Sequence, residues 1–456
     1  MPTLTLKPRH ALPLFSHHPW VFATALKKGA DGSDLMPGME VVVESDKGEA
    51  VARGLVNPHS LIRVRLYSWT PDEPIGSDLL AARIRKAIAL RRAVLGDIAS
   101  CRLVFSEADG ISGLTVDSYD GYLLVQLGSA ALAPRIEALL DALEAELLPP
   151  GIWLRTDREI ADKERMDPID RLARGSSPPR PLVITENADA VEGGVQFSVD
   201  LLGGQKTGFY YDQRENRAAV AALARDKTVF DGHCYTGGYA ITLARAGAKS
   251  VLAVDSSESA IQMARLNAEA NDVHRTVTFE QADVRDRLAE LAADGRQFDL
   301  VILDPPKLAR SRKGLNRAIK AYVRLNAAAL AVLPPGGLLV THSCSGLVRD
   351  DAFDQMLQRV ALESGREIRI LERRGAARDH AGSVYCPETD YLTCRICYVE
   401  GAADERPSDP EPASDVVDAA ADAARPADGV TGAGPAAAVG DGVISDDSAS
   451  HPAAAD

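Results

Sequence analysis

From residue 205 to residue 400, short apolar runs alternate with amphipathic stretches, and nothing else in the chain narrows the choice of fold so far. The apolar runs are Thr228–Phe230, Val251–Asp255, Val277–Ala282, Leu300–Asp304, Leu338–Ser343, Ile368–Glu372 and Leu392–Val399. Helical periodicity fills the gaps, for example over Ser257–Glu269 and Leu315–Val332. Strands that are apolar almost throughout need cover on both faces, and helices between them supply it. The pattern predicts an α/β fold with a doubly wound, mostly parallel, Rossmann-like sheet. Leu392–Val399 follows its predecessor without a long helix, so it is expected to run antiparallel at or near an edge.

The 204 residues upstream read differently. Residues 1–75 hold short strands (Pro2–Leu6, Val21–Ala23, Glu40–Ser45, Ala50–Val56, Leu61–Leu66) parted by Asp31-Gly32, Pro37-Gly38 and Lys47-Gly48. That spacing predicts a small β barrel. Residues 76–195 mix helices (Leu79–Leu95, Pro134–Leu148) with strands (Leu103–Glu107, Gly113–Ser118, Tyr122–Gly128, Ile152–Thr156), which predicts a small α+β domain. Gly175–Leu182 is a loop, and 196–400 is the α/β domain. Residues 401–456 contain 17 alanines and no aromatic residue, so an apolar core is out of reach and disorder is expected.

Charge separates along the same lines. The chain has 65 acidic and 51 basic residues, a formal −14, which by itself argues against a protein that coats nucleic acid. But 401–456 carries 12 acidic and 2 basic residues, so the body is nearly balanced. Six cysteines are too sparse for a disulfide scaffold. The longest run without Asp, Glu, Lys or Arg, Leu325 to Val348, is broken by Pro334-Pro335-Gly336-Gly337 and reads as a helix end, a turn and a strand. No signal peptide is evident. The expectation is a soluble, cytoplasmic, reduced protein with no membrane partner.

Ligands of such sheets bind at the carboxyl ends of the strands. The first strand ends in Asp231-Gly232-His233-Cys234-Tyr235-Thr236-Gly237-Gly238, where glycine lets a ligand approach the backbone. The second ends in Asp255, followed by Ser256, placed to meet ribose hydroxyls. The third ends in Asp283, placed near an adenine amino group. The fourth ends in Asp304-Pro305-Pro306-Lys307. G-x-G-x-x-G, the mark of a dinucleotide pyrophosphate site, is absent. An acid after a strand commonly caps the next helix. Four in register fit S-adenosylmethionine better, a cofactor with cationic charge and no phosphate to cradle.

The segment Gly204 to Glu400 resembles the large-subunit ribosomal RNA cytosine-5 methyltransferases of the RlmI type. The resemblance is carried by GQKTGFYYDQRENR (204–217), DGHCYTGGYA (231–240), DPPKLARSR (304–312) and SCSG (343–346). HPWVF (18–22) and NPHSLIRVRL (57–66) resemble that family's RNA-binding PUA domain, and SEADGISGLTVDSYDGY (106–122) its central domain. It implies a class I methyltransferase fold, S-adenosylmethionine as cofactor and large-subunit rRNA as partner; a homodimer is compatible with it. Asp212, Arg214, Asp231, Tyr235, Thr236, Gly237, Gly238, Asp255, Ser256, Asp283, Asp304 and Pro305 are the residues expected at the cofactor. Arg214 and Arg217 line the mouth on this reading, or cap and salt-bridge a helix on a plainer one.

Cytosine C5 is a poor nucleophile until a thiolate adds at C6, so the reaction needs a cysteine beside the cofactor. Cys344 ends the fifth strand, and the family's nucleophile maps onto it. Position alone also allows a small buried strand residue. Asp304 maps onto the acid that meets cytosine N3 and its amino group. Other RNA cytosine-5 methyltransferases carry a second cysteine just after Asp-Pro-Pro. Here Lys307 and Leu308 stand instead, so the group that removes the C5 proton is not marked.

RNA contact is expected from Lys307, Arg310, Arg312, Lys313 and Arg317, continued by Lys320 and Arg324: seven basic and no acidic residues in 18. Arg83, Arg85, Lys86, Arg91 and Arg92 form a second basic stretch. His17, His18 and Trp20 are candidates to stack on bases, though a barrel tryptophan is more often core. Rival readings are a methyltransferase for guanine N7 or N2, which would not need Cys344, and a non-catalytic PUA-type assembly factor, against which the intact strand-end acids speak.

Overall fold

A computed structural model describes residues 1–186, 191–201, 208–309 and 311–402. Part of the 204–217 motif, Arg310 and most of the acidic tail therefore lie outside the described residues.

The N-terminal sheet has five strands, in the order Thr3–Thr5, Glu40–Glu44, Ala50–Val56, Ile62–Ser68 and Trp20–Phe22. Its strands alternate as one-sided sheets must: in Glu40–Glu44, Val41 and Val43 are buried and their neighbours are not. A second five-stranded sheet follows, ordered Ile169–Gly175, Gly151–Thr156, Tyr122–Leu127, Leu114–Tyr119, Cys101–Phe105. Helices Ser77–Leu95 and Ile136–Leu147 share a core with it through Leu80, Ile84, Leu139 and Leu143.

One element was not legible in the sequence. Leu182–Glu186 and Val195–Val199 pair as an antiparallel hairpin. Ile184 and Phe197 pack with Val229 and Val251 of the downstream sheet. Asn267 and Asn271 accept from the backbone of Ser198 and Gln196, at 2.8 and 2.9 Å. The division expected at 195/196 thus cuts a hairpin that is packed on the α/β domain.

That domain is a seven-stranded sheet: β1 (Thr228–Gly232), β2 (Ser250–Asp255), β3 (Val277–Gln281), β4 (Leu300–Leu303), β5 (Gly337–Ser343), β6 (Arg366–Arg374) and β7 (Thr393–Ala402). The spatial order is β3-β2-β1-β4-β5-β7-β6. β1 to β5 pair in parallel, and β7 runs antiparallel between β5 and β6. β7 is therefore one place in from the edge, where it closes the core through Ile396, Cys397 and Val399. The order reverses between β1 and β4, and a ligand crevice opens at such a point. Among the described residues no helix is long and apolar enough to cross a membrane.

Candidate functional site: the carboxyl ends of the sheet

β1 leads into helix Gly238–Arg245 through a tight loop. His233, Tyr235 and Gly237 all take positive φ, at 64°, 50° and 88°. Two non-glycine residues in that region each cost on the order of 1 kcal/mol, so the surrounding structure must hold the loop. Part of that hold comes from Asp255, whose Oδ2 accepts from Tyr235 N at 2.9 Å. Glycine is required at 237 on steric grounds as well: a Cβ there would lie 2.8 Å from Ile241 Cδ1. Thr236 is buried, its carbonyl oxygen bonded to Asn267 Nδ2 at 3.2 Å.

Three carboxyl groups sit inside this end of the sheet, two of them with a buried oxygen that has no partner; His342 and Arg217 lie near enough to act on Asp304. Asp231 is fully buried; Oδ2 accepts from Ala240 N at 2.9 Å, and Oδ1 has no partner. Burial, with the charges of Asp304 and Asp255 beside it, pushes its carboxyl up to about 7. Asp212 accepts from the Tyr391 hydroxyl at 2.6 Å through Oδ2, and its buried Oδ1 is likewise unpartnered. Asp304 accepts from Gln213 Nε2 at 3.0 Å; burial pushes its carboxyl up, and Asp212 adds to the shift. Buried carboxyl oxygens that lack a partner suit a ligand that brings positive charge. S-adenosylmethionine, with a sulfonium and an ammonium group, fits that requirement.

A pH dependence follows. A cation favours ionised Asp231, so the carboxyl releases its proton on binding. Cofactor affinity should fall as pH drops below about 7, by up to about tenfold per pH unit, and level off above it. Calorimetric titration between about pH 5.5 and 8 reads this directly, and Asp231→Asn should flatten the curve.

The other strand-end residues are placed as follows. Asp255 Oδ1 accepts from Ser257 N at 2.9 Å. Ser256 is exposed beside it. Asp283 caps helix Val284–Ala293, its Oδ1 accepting from Arg285 N and Asp286 N at 3.0 and 3.1 Å. Arg214 turns toward the central domain: its guanidinium donates to Ser100 O, stacks 5.1 Å over Tyr211, and lies 3.6 Å from Glu186 and 3.9 Å from Asp379. Arg217 binds Glu186 at 2.7 and 2.6 Å. Both side chains thus make the ion pairs of the plainer reading, and these contacts fasten the 211–217 segment.

Asp304 and Cys344 come together. Asp304 N donates to Gly232 O at 3.2 Å, tying the β4 exit to β1. Cys344 Sγ lies 3.8 Å from Pro305 O. The serines around Cys344 set the turn: Ser343 Oγ accepts from Tyr322 OH at 2.9 Å, and Ser345 Oγ from Ala309 N at 3.2 Å. Of the six cysteines, Cys344 is the one that is not fully buried. It packs beside Phe105, Tyr391 and Leu392. Burial pushes the thiols of Cys101 and Cys397 up to about 12, and that of Cys234 well above its usual value. C-x-x-C at 394–397 lies flat in β7, with both thiols buried.

The site also contains residues that the sequence did not single out. Gln213, Tyr239 and His342 form a buried chain behind Asp304: Tyr239 OH is 2.8 Å from His342 Nε2 and 3.5 Å from Gln213 Oε1, and His342 Nδ1 meets Leu303 O at 2.9 Å. A carbonyl only accepts, so Nδ1 carries a proton.

Beside the site, helix Leu315–Ala331 buries Ala318, Tyr322, Asn326 and Ala329 and turns its cations outward. Arg312, Lys313, Arg317, Lys320 and Arg324 are exposed, with no hydrogen bond or ion pair among the described residues. Lys307 is half-buried. The second basic stretch is mixed: Arg85, Lys86 and Arg92 are exposed, Arg92 beside Glu146 at 3.1 Å, whereas Arg91 and Arg83 turn inward. Arg91 is fully buried, donating to Asp109 at 2.6 Å and to Asp379 O at 2.7 Å. Arg83 donates to Gly110 O and Tyr67 O. Trp20 is core, its indole donating to Glu107 at 2.9 Å. His17 stacks on Trp69 at 4.8 Å, and His18 meets Glu388 at 3.2 Å.

Comparison with known proteins agrees with this geometry. Residues 4–69 match the PUA-like domain family, and residues 107–374 match the S-adenosylmethionine-dependent methyltransferase family. The Ribosomal RNA large subunit methyltransferase I of Photobacterium profundum is 37% identical over 386 residues, 84% of this chain and 96% of that protein. The protein of the same name from Vibrio cholerae is 37% identical over 387 residues, 84% of this chain and 95% of the relative. A Streptococcus mutans protein described as a SAM-dependent methyltransferase shares the fold at a TM-score of 0.74, with 17% identity over 87% of this chain and 100% of its own. A further solved structure, described as a methyltransferase complexed with S-adenosylhomocysteine, aligns at a TM-score of 0.75 with 18% identity, over 87% and 100% of the two chains. The chain belongs to the S-adenosylmethionine-dependent methyltransferases, in the family of the ribosomal RNA large subunit methyltransferase I proteins.

Proposed function

We propose that this protein methylates C5 of a cytosine in large-subunit ribosomal RNA through a covalent adduct on Cys344. The observation that carries the reading is the accessible Cys344 thiol at the end of β5, beside the Asp304-Pro305 turn at the end of β4. The names of the relatives supply the RNA class. When bound, S-adenosylmethionine supplies an electrophilic methyl group. Asp231, Asp255 and the 233–238 loop hold the cofactor on this reading, with Asp283 at its adenine end. Cys344, as thiolate, adds to C6, and the electron pair moves toward C5. Asp304 hydrogen-bonds N3 and the amino group, and its proton offsets the charge that develops on the ring. The C5–methyl bond forms as the sulfur–methyl bond breaks, leaving S-adenosylhomocysteine; C5 then gives its proton to solvent water, and the C6–sulfur bond breaks to return the thiolate.

RNA made with 5-fluorocytidine tests the chemistry. Fluorine at C5 replaces the hydrogen that must leave, so after methyl transfer the sulfur cannot depart. The expected result is a protein–RNA adduct that survives denaturation and maps to the peptide containing Cys344. An adduct mapped to another residue, or none, contradicts the reading.

The unpaired cations of 312–324 are the proposed phosphate-binding groups. Replacing Arg312, Lys313, Arg317 and Lys320 by alanine should weaken RNA binding. It should also flatten the plot of log affinity against log salt, by about 0.7–0.9 for each phosphate that is no longer neutralised. Filter binding over a salt series measures both. An unchanged slope would put the RNA elsewhere.

A further inference from the structure

The hydrogen bonds behind Asp304 have a fixed direction. Arg374, the last residue of β6, donates through Nε to Oδ1 of Asn216 at 2.9 Å. A guanidinium cannot accept, so Asn216 turns its amide nitrogen the other way. There Nδ2 donates to Gly375 O at 3.0 Å and to Gln213 Oε1 at 2.7 Å. Gln213, whose oxygen is thus engaged, presents Nε2 to Asp304 and donates to Oδ2 at 3.0 Å. Asn216 and Gln213 are buried, so water offers neither amide a reason to flip. An arginine 158 residues away in sequence and the Gly375 carbonyl next to it set this polarity together.

We propose that Gln213, oriented by Asn216 and Arg374, makes the site selective for cytosine by keeping Oδ2 of Asp304 an acceptor and leaving the acid's proton on Oδ1. The inference rests on the cytosine-5 reading of the site. Cytosine presents an acceptor, N3, beside a donor amino group; uracil presents the reverse, N3–H beside O4. An acid protonated on Oδ1 donates to cytosine N3, and Oδ2 accepts from the amino group with the lone pair that Gln213 does not use. Against uracil the same acid sets donor against donor and acceptor against acceptor. Relief would require the proton on Oδ2, where Gln213 Nε2–H already points. Reversal of one bidentate pattern is worth roughly 5- to 150-fold between bases. Burial pushes the Asp304 carboxyl up, toward the acid form, while the charges of His342 and Arg217 pull it down. Gln213, Asn216 and Arg374 touch no substrate in this scheme; they are positioning residues.

Two variants of the full-length protein test it. Gln213→Leu removes the donor. Asn216→Asp replaces the donor that holds Gln213 with a carboxylate, which still pairs with Arg374 but forces the Gln213 amide to turn its oxygen toward Asp304. The probe is a large-subunit rRNA transcript in which the cytosine modified by the wild type is first mapped. The transcript then carries either 5-fluorocytosine or 5-fluorouracil at that position. The readout is the ratio of adduct formation rates for the two bases, with cofactor affinity measured in parallel. The expected result is that both variants lower the cytosine-to-uracil ratio at least about fivefold while the cofactor dissociation constant moves less than about twofold. The upper pH limit of the cytosine rate should shift as well. Ratios unchanged in both variants overturn the inference even if rates fall, and so does a ratio that falls only together with cofactor affinity. A wild type that forms no adduct with the fluorocytosine transcript overturns the cytosine reading itself, which is a different failure.

Discussion

Replacing Cys344 by alanine is expected to lower methyl transfer by at least about 10³-fold while cofactor binding stays within about twofold of the wild type. The size follows from the chemistry: without addition at C6, C5 has no electron pair to offer, and positioning alone does not supply one. Binding should persist because the residues proposed to face the cofactor, Asp231 and Asp255, lie on other strands and bond to Ala240, Tyr235 and Ser257. The fold should persist as well, since the Ser343 and Ser345 side chains, not the thiol, bond to Tyr322 and Ala309. Single-turnover rates with unmodified rRNA, beside calorimetric cofactor titration, check both halves. A variant with full activity would return Cys344 to the status of a packing residue and favour a guanine methyltransferase.

Asp304→Ala should lower the single-turnover rate by about 10²–10⁴-fold, the usual range for a positioned acid. Asp304→Asn should lose less. Its oxygen can still accept from Gln213 Nε2, and its amide nitrogen then presents a donor to cytosine N3, though not a proton that transfers. The wild type should also show a pH limit. Burial raises the Asp304 carboxyl. The acid form is the active one here, so the rate should decline as pH rises through that raised value. Asp304→Asn should lack that decline. Equal rates for the alanine and asparagine variants would contradict the donor role.

The sheet was legible because its signal is local. β1, β2, β4 and β5 are built around compact apolar runs, and parallel strands covered on both faces leave that mark in the residues themselves; β3, at the edge, alternates instead. The acids at 231, 255, 283 and 304 could be placed from the same signal. What each acid does was not legible: Asp283 caps a helix, whereas Asp231 is buried with an orphaned oxygen. Basic runs had the same ambiguity. Arg91 and Arg312 are alike as letters, yet one lies inside against Asp109 and Asp379 and the other is exposed, with no ion pair among the described residues. The hairpin 182–199 escaped because residues it packs and bonds with, Asn267 and Asn271 among them, lie far along the chain. Gln213 escaped for the same reason. Its meaning depends on Asn216, Arg374 and Asp304 meeting in space, and nothing in Asp-Gln-Arg announces that.

The most direct test of the proposed chemistry is the identity of the methylated atom. Unmodified large-subunit rRNA is incubated with the protein and isotopically labelled S-adenosylmethionine, digested to nucleosides and analysed by mass spectrometry. The expected result is label in 5-methylcytidine at one site. Label in 7-methylguanosine or N2-methylguanosine instead, or no label in any nucleoside, would contradict it.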